Sequence, residues 1–190
     1  MNIIRYPKRE DWASITERPQ LDTSTLNATV SNILGDIKAN GDEAVRKYEE
    51  MFDHVRLDSL AVSENEIEEA WNSVTAELRQ SIELAHANIS SFHEAQHFNG
   101  VKVETAPGVT CWQKSVPIEK VGLYIPGGTA PLFSTVLMLA TPARIAGCRE
   151  IVLCTPPDRN GNVNPAILVA ARVAGVSKIF KTGGVQAIGA

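Results

Sequence analysis

Two glycine pairs in the second half of the sequence could let the backbone bind a phosphorylated ligand. The first lies in the turn Pro126-Gly127-Gly128-Thr129, and the second is Gly183-Gly184; each follows a short apolar run. In open α/β sheets, ligands bind beyond the carboxyl ends of strands, where glycine permits close approach and a helix N-terminus favours an anion. The dinucleotide fingerprint GxGxxG is absent from the sequence. A phosphate site and a plain tight turn both remain open at the first pair, whereas at the second pair we favour a solvated helix start.

Two polar side chains accompany these turns. Tyr124 lies near the end of an apolar run, where a phenol could stack on a ring or donate a hydrogen bond. A tyrosine packed in the core with its hydroxyl satisfied is an equal alternative. Gln186 follows the second glycine pair and could aim its amide at a ligand. Polar residues at helix starts also commonly serve the helix itself, and for Gln186 alone we favour that interpretation.

Three histidines fall on one side of a predicted helix: His86, His93 and His97. The segment HEAQH (93–97) matches the zinc motif HExxH, with Glu94 at the position of its glutamate. A catalytic zinc needs three protein ligands, and the sequence offers no third ligand at a typical downstream spacing. We therefore favour a solvated or partner-facing helix side over a metalloprotease site.

The composition is that of an ordinary globular protein. The 190 residues carry a net charge of −4, so no basic field favours nucleic acid or an anionic membrane. The start of the chain lacks the apolar segment of a secretory signal, and no apolar stretch is long enough to span a bilayer. Cys111, Cys148 and Cys154 are odd in number and lack CxxC spacing, so a disulfide framework is not expected and a reducing cytosol fits better. Cys148 and Cys154 also have no neighbouring histidine, which favours small buried apolar residues.

Residues 1–119 predict a mainly helical region. Thr23 or Ser24 is expected to cap a helix that ends at Asn40-Gly41, and Ser63 with Glu66 has capping-box spacing. Residues 101–119 are predicted to be extended, with a turn at Pro107-Gly108. A second helix after Gly41 is predicted to place on one face Ala44, Val45, Tyr48, Met51 and Phe52. A long helix over about 75–97 carries a near-heptad stripe of Leu78, Ile82, Ala85, Ile89 and Phe92.

Residues 120–190 predict the start of an α/β domain. Apolar runs at 121–125, 151–154 and 178–180 alternate with helical stretches at about 133–146 and 165–174. This alternation is typical of a parallel sheet covered on both faces. The boundary signals are Asn164-Pro165 as cap and first helical residue, and Gly147 and Gly175 as helix stops. Pro142 is expected to kink or shorten the first helix. Residues 183–190 begin another turn and helix, so we expect an N-terminal piece of a longer protein.

Several segments resemble histidinol dehydrogenase. They are VGLYIPGGTAPLFSTVLMLATPARIAGC (121–148), IVLCTPP (151–157) and GGVQAIGA (183–190), supported upstream by GDEAVRKYEEMFD (41–53). The first segment is long and specific to that family. The resemblance extends over most of the chain and is weakest in the first twenty or so residues and around 55–75.

The resemblance implies a fold, a reaction and its cofactors. The fold would be an incomplete Rossmann-like parallel sheet, similar to aldehyde dehydrogenase, and the reaction the oxidation of L-histidinol to L-histidine with two NAD molecules. The family is a zinc-dependent, cytosolic homodimer. By the motifs LYIPGG and GG-x-Q-A, Tyr124 and Gln186 would contact NAD, whereas the third NAD contact would lie beyond Ala190.

The resemblance also implies what this sequence does not contain. The family chain is roughly twice as long, and its zinc ligands, its proton-transfer pair and its substrate-binding residues belong to the other half. No catalytic residue or metal ligand is therefore assigned here, HEAQH is disfavoured further, and the isolated chain is expected to be inactive. The alternative is a non-catalytic helical plus α/β interaction module that would use the stripe of the long helix.

Overall fold

The structure is a computed structural model that describes residues 3–18, 23–128 and 130–190, without the side chain of Ser24. Its α-helices are α1 (Trp12–Thr16), α2 (Ser24–Asn40), α3 (Asp42–Tyr48), α4 (Glu64–Ser73), α5 (Ala76–Glu94), α6 (Phe133–Ile145), α7 (Pro165–Ala174) and α8 (Gly184–Gly189). A 3₁₀ turn spans Arg9–Asp11, and a π-helical turn spans Glu49–Asp53. The strands are β1 (Lys102–Ala106), β2 (Val109–Trp112), β3 (Lys120–Tyr124), β4 (Glu150–Thr155) and β5 (Lys178–Lys181).

The three C-terminal strands form the predicted parallel sheet, in the order β3-β4-β5. Leu153 of β4 is fully buried and pairs with Leu123 on one side and Ile179 on the other. The outer edge of β5 pairs with a short antiparallel segment, because the Lys181 N–H donates to the Leu60 carbonyl at 2.7 Å. That segment covers backbone groups that an edge strand would otherwise leave unpaired.

The main core lies between this sheet and helices from both halves of the chain. Helix α6 packs against α5 and α7, and α4 packs against α7. Ala70 of α4 and Ile82 of α5 are buried in the same cluster as Leu153. Burying a side chain such as Ile82 contributes about 1.5–3 kcal/mol to stability. The predicted division of the chain at residue 119 stays a prediction, although helices from before it share this core.

A second, smaller core positions the C-terminal helix. It consists of Ile33, Ile37, Ala44, Val45 and Tyr48, with Leu60 and Val185 packed against it. Val185 belongs to α8, so this cluster holds the start of α8 against α2 and α3.

The predicted helix boundaries in the first half are largely confirmed. Ser63 and Glu66 form the expected capping box, in which the Ser63 side chain accepts from the Glu66 N–H. Gly41 ends α2 with a positive φ of 56°, as a glycine stop allows. Thr23 occupies the N-cap of α2 but makes no side-chain cap hydrogen bond.

Met51 and Phe52, predicted to lie on one face with the buried side chains of α3, are more exposed than those side chains, although the Phe52 ring stacks on Tyr48 with centroids 5.6 Å apart. The exposed fractions of Met51 and Phe52 are 60% and 45%. A π-helical turn begins at Glu49, and its wider winding changes the direction in which later side chains point. Glu49, the first residue of that turn, is completely buried.

The long helix is shorter than predicted and its stripe is incomplete. Helix α5 ends at Glu94 rather than His97, and Phe92, the last residue of the predicted stripe, is 65% exposed. At 1.5 Å per residue, α5 with 19 residues is about 28 Å long, whereas its partner α6 with 13 residues is about 20 Å long. Helix α5 is therefore longer than α6 by more than one turn.

Two further predictions concern a proline in a helix and a glycine in a turn. Helix α6 runs through Pro142 to Ile145, so the expected shortening does not occur. Pro142 lies in the last turn, and its carbonyl accepts from the Ala146 N–H at 2.8 Å. The predicted turn at Gly108, with φ +79°, joins β1 and β2 as an antiparallel hairpin.

Candidate functional site

The carboxyl ends of the three parallel strands meet around one proline ring. Pro156 follows β4, and it lies between Gly127, which follows β3, and Gly183, which follows β5. A Cβ atom on Gly127 would lie 2.5 Å from Pro156 Cγ, and one on Gly183 would lie 2.7 Å from Pro156 Cβ. Both glycines are therefore needed for packing, because any side chain there would collide with the ring.

The second glycine of the first pair is free of such contacts. Gly128 has a φ of +148°, and nothing lies within 4 Å of where its Cβ would be. Its backbone is open to approach by a ligand, which keeps the phosphate interpretation of this turn available. Thr129, the last residue of the predicted turn, lies outside the described residues.

An open cleft of about 950 Å³ lies over these strand ends. This volume is within the range of small-molecule and cofactor sites. Its walls come from the loops after the strands, the π-helical turn and α4, and they include Asp53, Glu66, Tyr124, Gly127, Asp158 and Gly184. The predicted location of the site, at the carboxyl edge of the sheet, thus coincides with a cleft.

Tyr124 lines this cleft and bridges two of its walls. The side chain is half-buried, and its hydroxyl oxygen accepts a hydrogen bond from the Gly184 N–H at 3.1 Å. The phenol thus ties the end of β3 to the glycine turn after β5. Its own O–H proton is not used in that bond and can be donated to a ligand.

Gln186 lies in the first turn of α8 but points inward. Its exposed fraction is 1%, and its Nε2 donates to Glu49 Oε1 at 3.0 Å. Gln186 Oε1 has no hydrogen-bond partner among the described residues. It lies directly beside Gly184, 2.8 Å from where a Cβ of that glycine would be. Gln186 does not itself line the cleft, and its contact with NAD stays a prediction.

Glu49 is a buried polar residue of this region that the sequence patterns did not indicate. Its side chain is completely buried, and its Oε1 accepts hydrogen bonds from Thr182 Oγ1 at 2.5 Å, from the Gly183 N–H at 3.1 Å and from Gln186. Burial raises the pKa of Glu49, and the nearby Asp53 carboxyl adds to this shift. The only sequence signal is a pair of acidic residues four apart, which is too common on helix surfaces to be diagnostic.

The histidine cluster does not form a metal site in the part of the chain that is described. His93 Nδ1 lies 2.9 Å from Gln96 Oε1, and His97 lies beyond the end of α5. Within residues 3–18, 23–128 and 130–190, no three His, Cys, Asp or Glu side chains are grouped so as to hold a metal ion.

The cysteines are unpaired in the structure. Cys111 is exposed, whereas Cys148 and Cys154 are half-buried. Burial raises the pKa of the Cys154 thiol, as does the negative charge of Glu49. Cys148 packs against the main core as a small apolar side chain, as predicted.

Among the described helices, none has both the length and the apolar character needed to cross a membrane.

Comparison with known proteins decides the family. The family profile described as histidinol dehydrogenase matches residues 16–190, which is nearly the whole chain. The chain belongs to the histidinol dehydrogenase family. The predicted resemblance is thereby confirmed, and it extends into the regions where the motifs were weakest.

Individual histidinol dehydrogenases are similar along the same length. The chain is 64% identical to the Bacteroides fragilis histidinol dehydrogenase over 190 residues, which is all of this chain and 44% of that relative. It is 49% identical to the Xanthomonas axonopodis pv. citri histidinol dehydrogenase over 189 residues, covering 95% of this chain and 44% of the relative. The chain therefore spans less than half the length of these curated relatives.

A solved histidinol dehydrogenase confirms the fold. The crystal structure of the enzyme from Elizabethkingia anophelis matches with a TM-score of 0.91 and 47% sequence identity, over 96% of this chain and 42% of that one. The predicted class, a parallel α/β sheet preceded by a mainly helical region, is thus that of the histidinol dehydrogenase family.

Proposed function

We propose that this chain is the N-terminal part of a histidinol dehydrogenase that oxidises L-histidinol to L-histidine with NAD. The observation that carries the proposal is the 64% identity with the Bacteroides fragilis histidinol dehydrogenase along the entire chain. The cleft at the carboxyl edge of the sheet supports it, because this is where parallel α/β folds bind nucleotides.

Within that enzyme, we assign to this segment one wall of the NAD site. NAD, when bound, supplies the hydride acceptor. The residues present fit such a ligand: the open backbone at Gly128 permits a phosphate to approach, and the Tyr124 phenol retains a proton to donate. Gln186 Oε1 is a buried acceptor without a partner in the described chain, which suits a hydroxyl donor on the cofactor.

Zinc is assigned to residues outside this segment. The described part of the chain does not group enough His, Cys, Asp or Glu residues to bind it. A zinc site needs at least three protein ligands, so we place these in the portion of the relatives that lies beyond the match. We also assign the functional enzyme to the cytosol, in agreement with three unpaired cysteines, and to a homodimer.

The interaction-module alternative is not retained. It depended on a free apolar stripe along α5, and that stripe is largely in use. Ile82 is 1% exposed, and Leu78, Ala85 and Ile89 pack against the main core. Only Phe92 is left exposed among the five stripe residues.

A chimera tests the proposed function. Residues 1–190 of this chain would replace the matching 44% of the Bacteroides fragilis histidinol dehydrogenase, and NADH absorbance would be followed with histidinol, NAD and zinc. We expect protein-dependent turnover by the chimera and none by the 190-residue chain alone. In the chimera, Tyr124→Phe should weaken NAD binding because it removes the phenol O–H. A folded chimera that neither binds NAD nor produces NADH would refute the proposal.

A further inference from the structure

Glu49 joins the helical region to the turn between β5 and α8. Its carboxyl oxygen Oε1 accepts from the Thr182 hydroxyl, the Gly183 N–H and the Gln186 side-chain amide. These donors lie within five consecutive residues, more than 130 residues along the chain from Glu49. One carboxylate oxygen thus accepts three hydrogen bonds from the turn and the start of α8.

This arrangement fixes which end of the Gln186 amide is free. Glu49 Oε1 accepts from the Gly183 N–H, which can only donate, so Oε1 acts as an acceptor here and the Gln186 amide presents its Nε2 to it. The opposite orientation would place two acceptor oxygens against each other. Gln186 Oε1 is therefore the buried amide atom left without a partner in the described chain, and it lies beside Gly184, which lines the cleft. An acceptor at that position selects a ligand hydroxyl or amide N–H over a phosphate oxygen.

The same turn is held from its other side by the cleft. The Gly184 N–H donates to the Tyr124 hydroxyl, one residue after the Gly183 N–H donates to Glu49. Successive backbone amides of this turn thus donate to two different walls, one to the buried carboxyl and one to the cleft-lining phenol.

We propose that Glu49 is a positioning residue of the NAD site, which orients the Gln186 amide with Oε1 free and holds the Gly183-Gly184 turn against Tyr124. This inference rests on the proposed function, because it takes the cleft to be an NAD site. Glu49 touches no ligand itself; it acts through Gln186 and the turn.

Variants of the chimera test this role. Glu49→Met keeps a similar volume but removes the acceptor, whereas Glu49→Gln keeps an oxygen that can accept all three bonds. We expect Glu49→Met to raise the NAD dissociation constant and KM about tenfold. Its KM for histidinol should stay unchanged, and Glu49→Gln should bind NAD almost as well as the parent. The matched control is Glu50→Gln, at an exposed neighbouring residue that pairs with Arg56.

A double-substitution cycle separates the possible outcomes. If Glu49 acts through Gln186, Glu49→Met should add little to the loss of NAD affinity caused by Gln186→Ala. If the two substitutions multiply their effects on the NAD dissociation constant, the inference is overturned. It is also overturned if Glu49→Met binds NAD normally while Gln186→Ala binds it more weakly. Normal NAD binding by Gln186→Ala would instead refute the assignment of Gln186 to the NAD site, and the inference with it.

A measurement without substitutions covers the case in which Glu49→Met fails to fold. In the unsubstituted protein, the Gln186 side-chain NH₂ protons should exchange slowly with solvent, because Nε2 is buried and bonded. Their exchange can be followed by NMR. Exchange as fast as that of a surface glutamine would show that Glu49 does not hold the amide, and would overturn the inference.

Discussion

The Glu49 side chain combines an ionisable group with complete burial, and this makes stability depend on pH. Burial raises the pKa of Glu49 above its usual value of 4.5, and burial also raises that of the neighbouring Asp53 above 3.8. A carboxyl with a raised pKa in the folded state favours folding most when both states are protonated. That contribution is lost as the pH rises from the unfolded value through the folded one.

We therefore predict that Glu49→Gln makes the fold less sensitive to rising pH. The thermal unfolding midpoint of the parent chain should fall as the pH increases above about 4.5, since ionising Glu49 in the interior is unfavourable. In the Glu49→Gln variant, the unfolding midpoint should fall less as the pH rises, and the remaining fall should be the part due to Asp53. Calorimetry at a series of pH values measures it, and identical pH profiles for the two proteins would contradict the prediction.

The two glycines beside Pro156 give a second residue-scale prediction. Gly127→Ala and Gly183→Ala should each lower the free energy of unfolding by about 1–3 kcal/mol, because the added methyl group overlaps the Pro156 ring. Gly122→Ala is the matched control in β3, where nothing lies within 4 Å of the added atom. Urea denaturation measures all three. A control as destabilised as the other two would point to a strand effect instead of the ring.

At the scale of elements, the sequence predicts what is decided locally. The capping box at Ser63, the glycine stop at Gly41 and the Asn164-Pro165 helix start are all present, because each depends on residues within four positions. The parallel strands were also predictable, since buried strands are continuously apolar. The π-helical turn at Glu49 was not, because its stabilising partners lie more than 130 residues away.

The candidate site likewise contains features that the sequence predicts and features that it does not. Tyr124 could be placed at the cleft because it ends a recognisable strand, and the structure puts it there. The inward direction of Gln186 could not be predicted, since it depends on a buried acceptor from a distant helix. The contact between Pro156 and two glycines likewise requires three loops to meet in space.

Helix α2 offers a prediction with an internal control. Gly35 lies within the helix and Gly41 just after it, and a Cβ at either meets nothing within 4 Å. Gly35→Ala should stabilise the fold by about 1 kcal/mol, because alanine favours the helix. Gly41→Ala should destabilise it by about 1 kcal/mol, because the φ of +56° is unfavourable for a residue with a side chain. Chemical denaturation measures both, and shifts in the same direction would refute the backbone argument.

At the scale of the whole molecule, the stretch of chain over residues 98–118 carries several exposed apolar side chains. Phe98, Trp112, Val116 and Ile118 are all more than half exposed. Monomeric proteins rarely expose large contiguous apolar patches, and larger ones mark interaction surfaces. The curated relatives have more than twice the length of this chain, so they have additional chain to place against such a surface.

We predict that the 190-residue chain binds an apolar fluorescent dye more strongly than the chimera with the Bacteroides fragilis histidinol dehydrogenase does. Exposed aromatic and aliphatic side chains bind such dyes, and the added chain should cover them. Ile118→Lys should lower the dye fluorescence of the isolated chain without lowering its unfolding midpoint, because Ile118 is 69% exposed. Equal fluorescence per molecule from chain and chimera would contradict the prediction.

The Pro156 ring has a consequence for how movement spreads along the edge of the sheet. A ring wedged between two loops works as a spacer, so the loop after β3 cannot shift inward unless the loop after β5 gives way. A ligand that displaces Gly127 would displace the ring, and with it Gly183 and its hydrogen bond to Glu49 Oε1. The loops after β3, β4 and β5 should therefore move together.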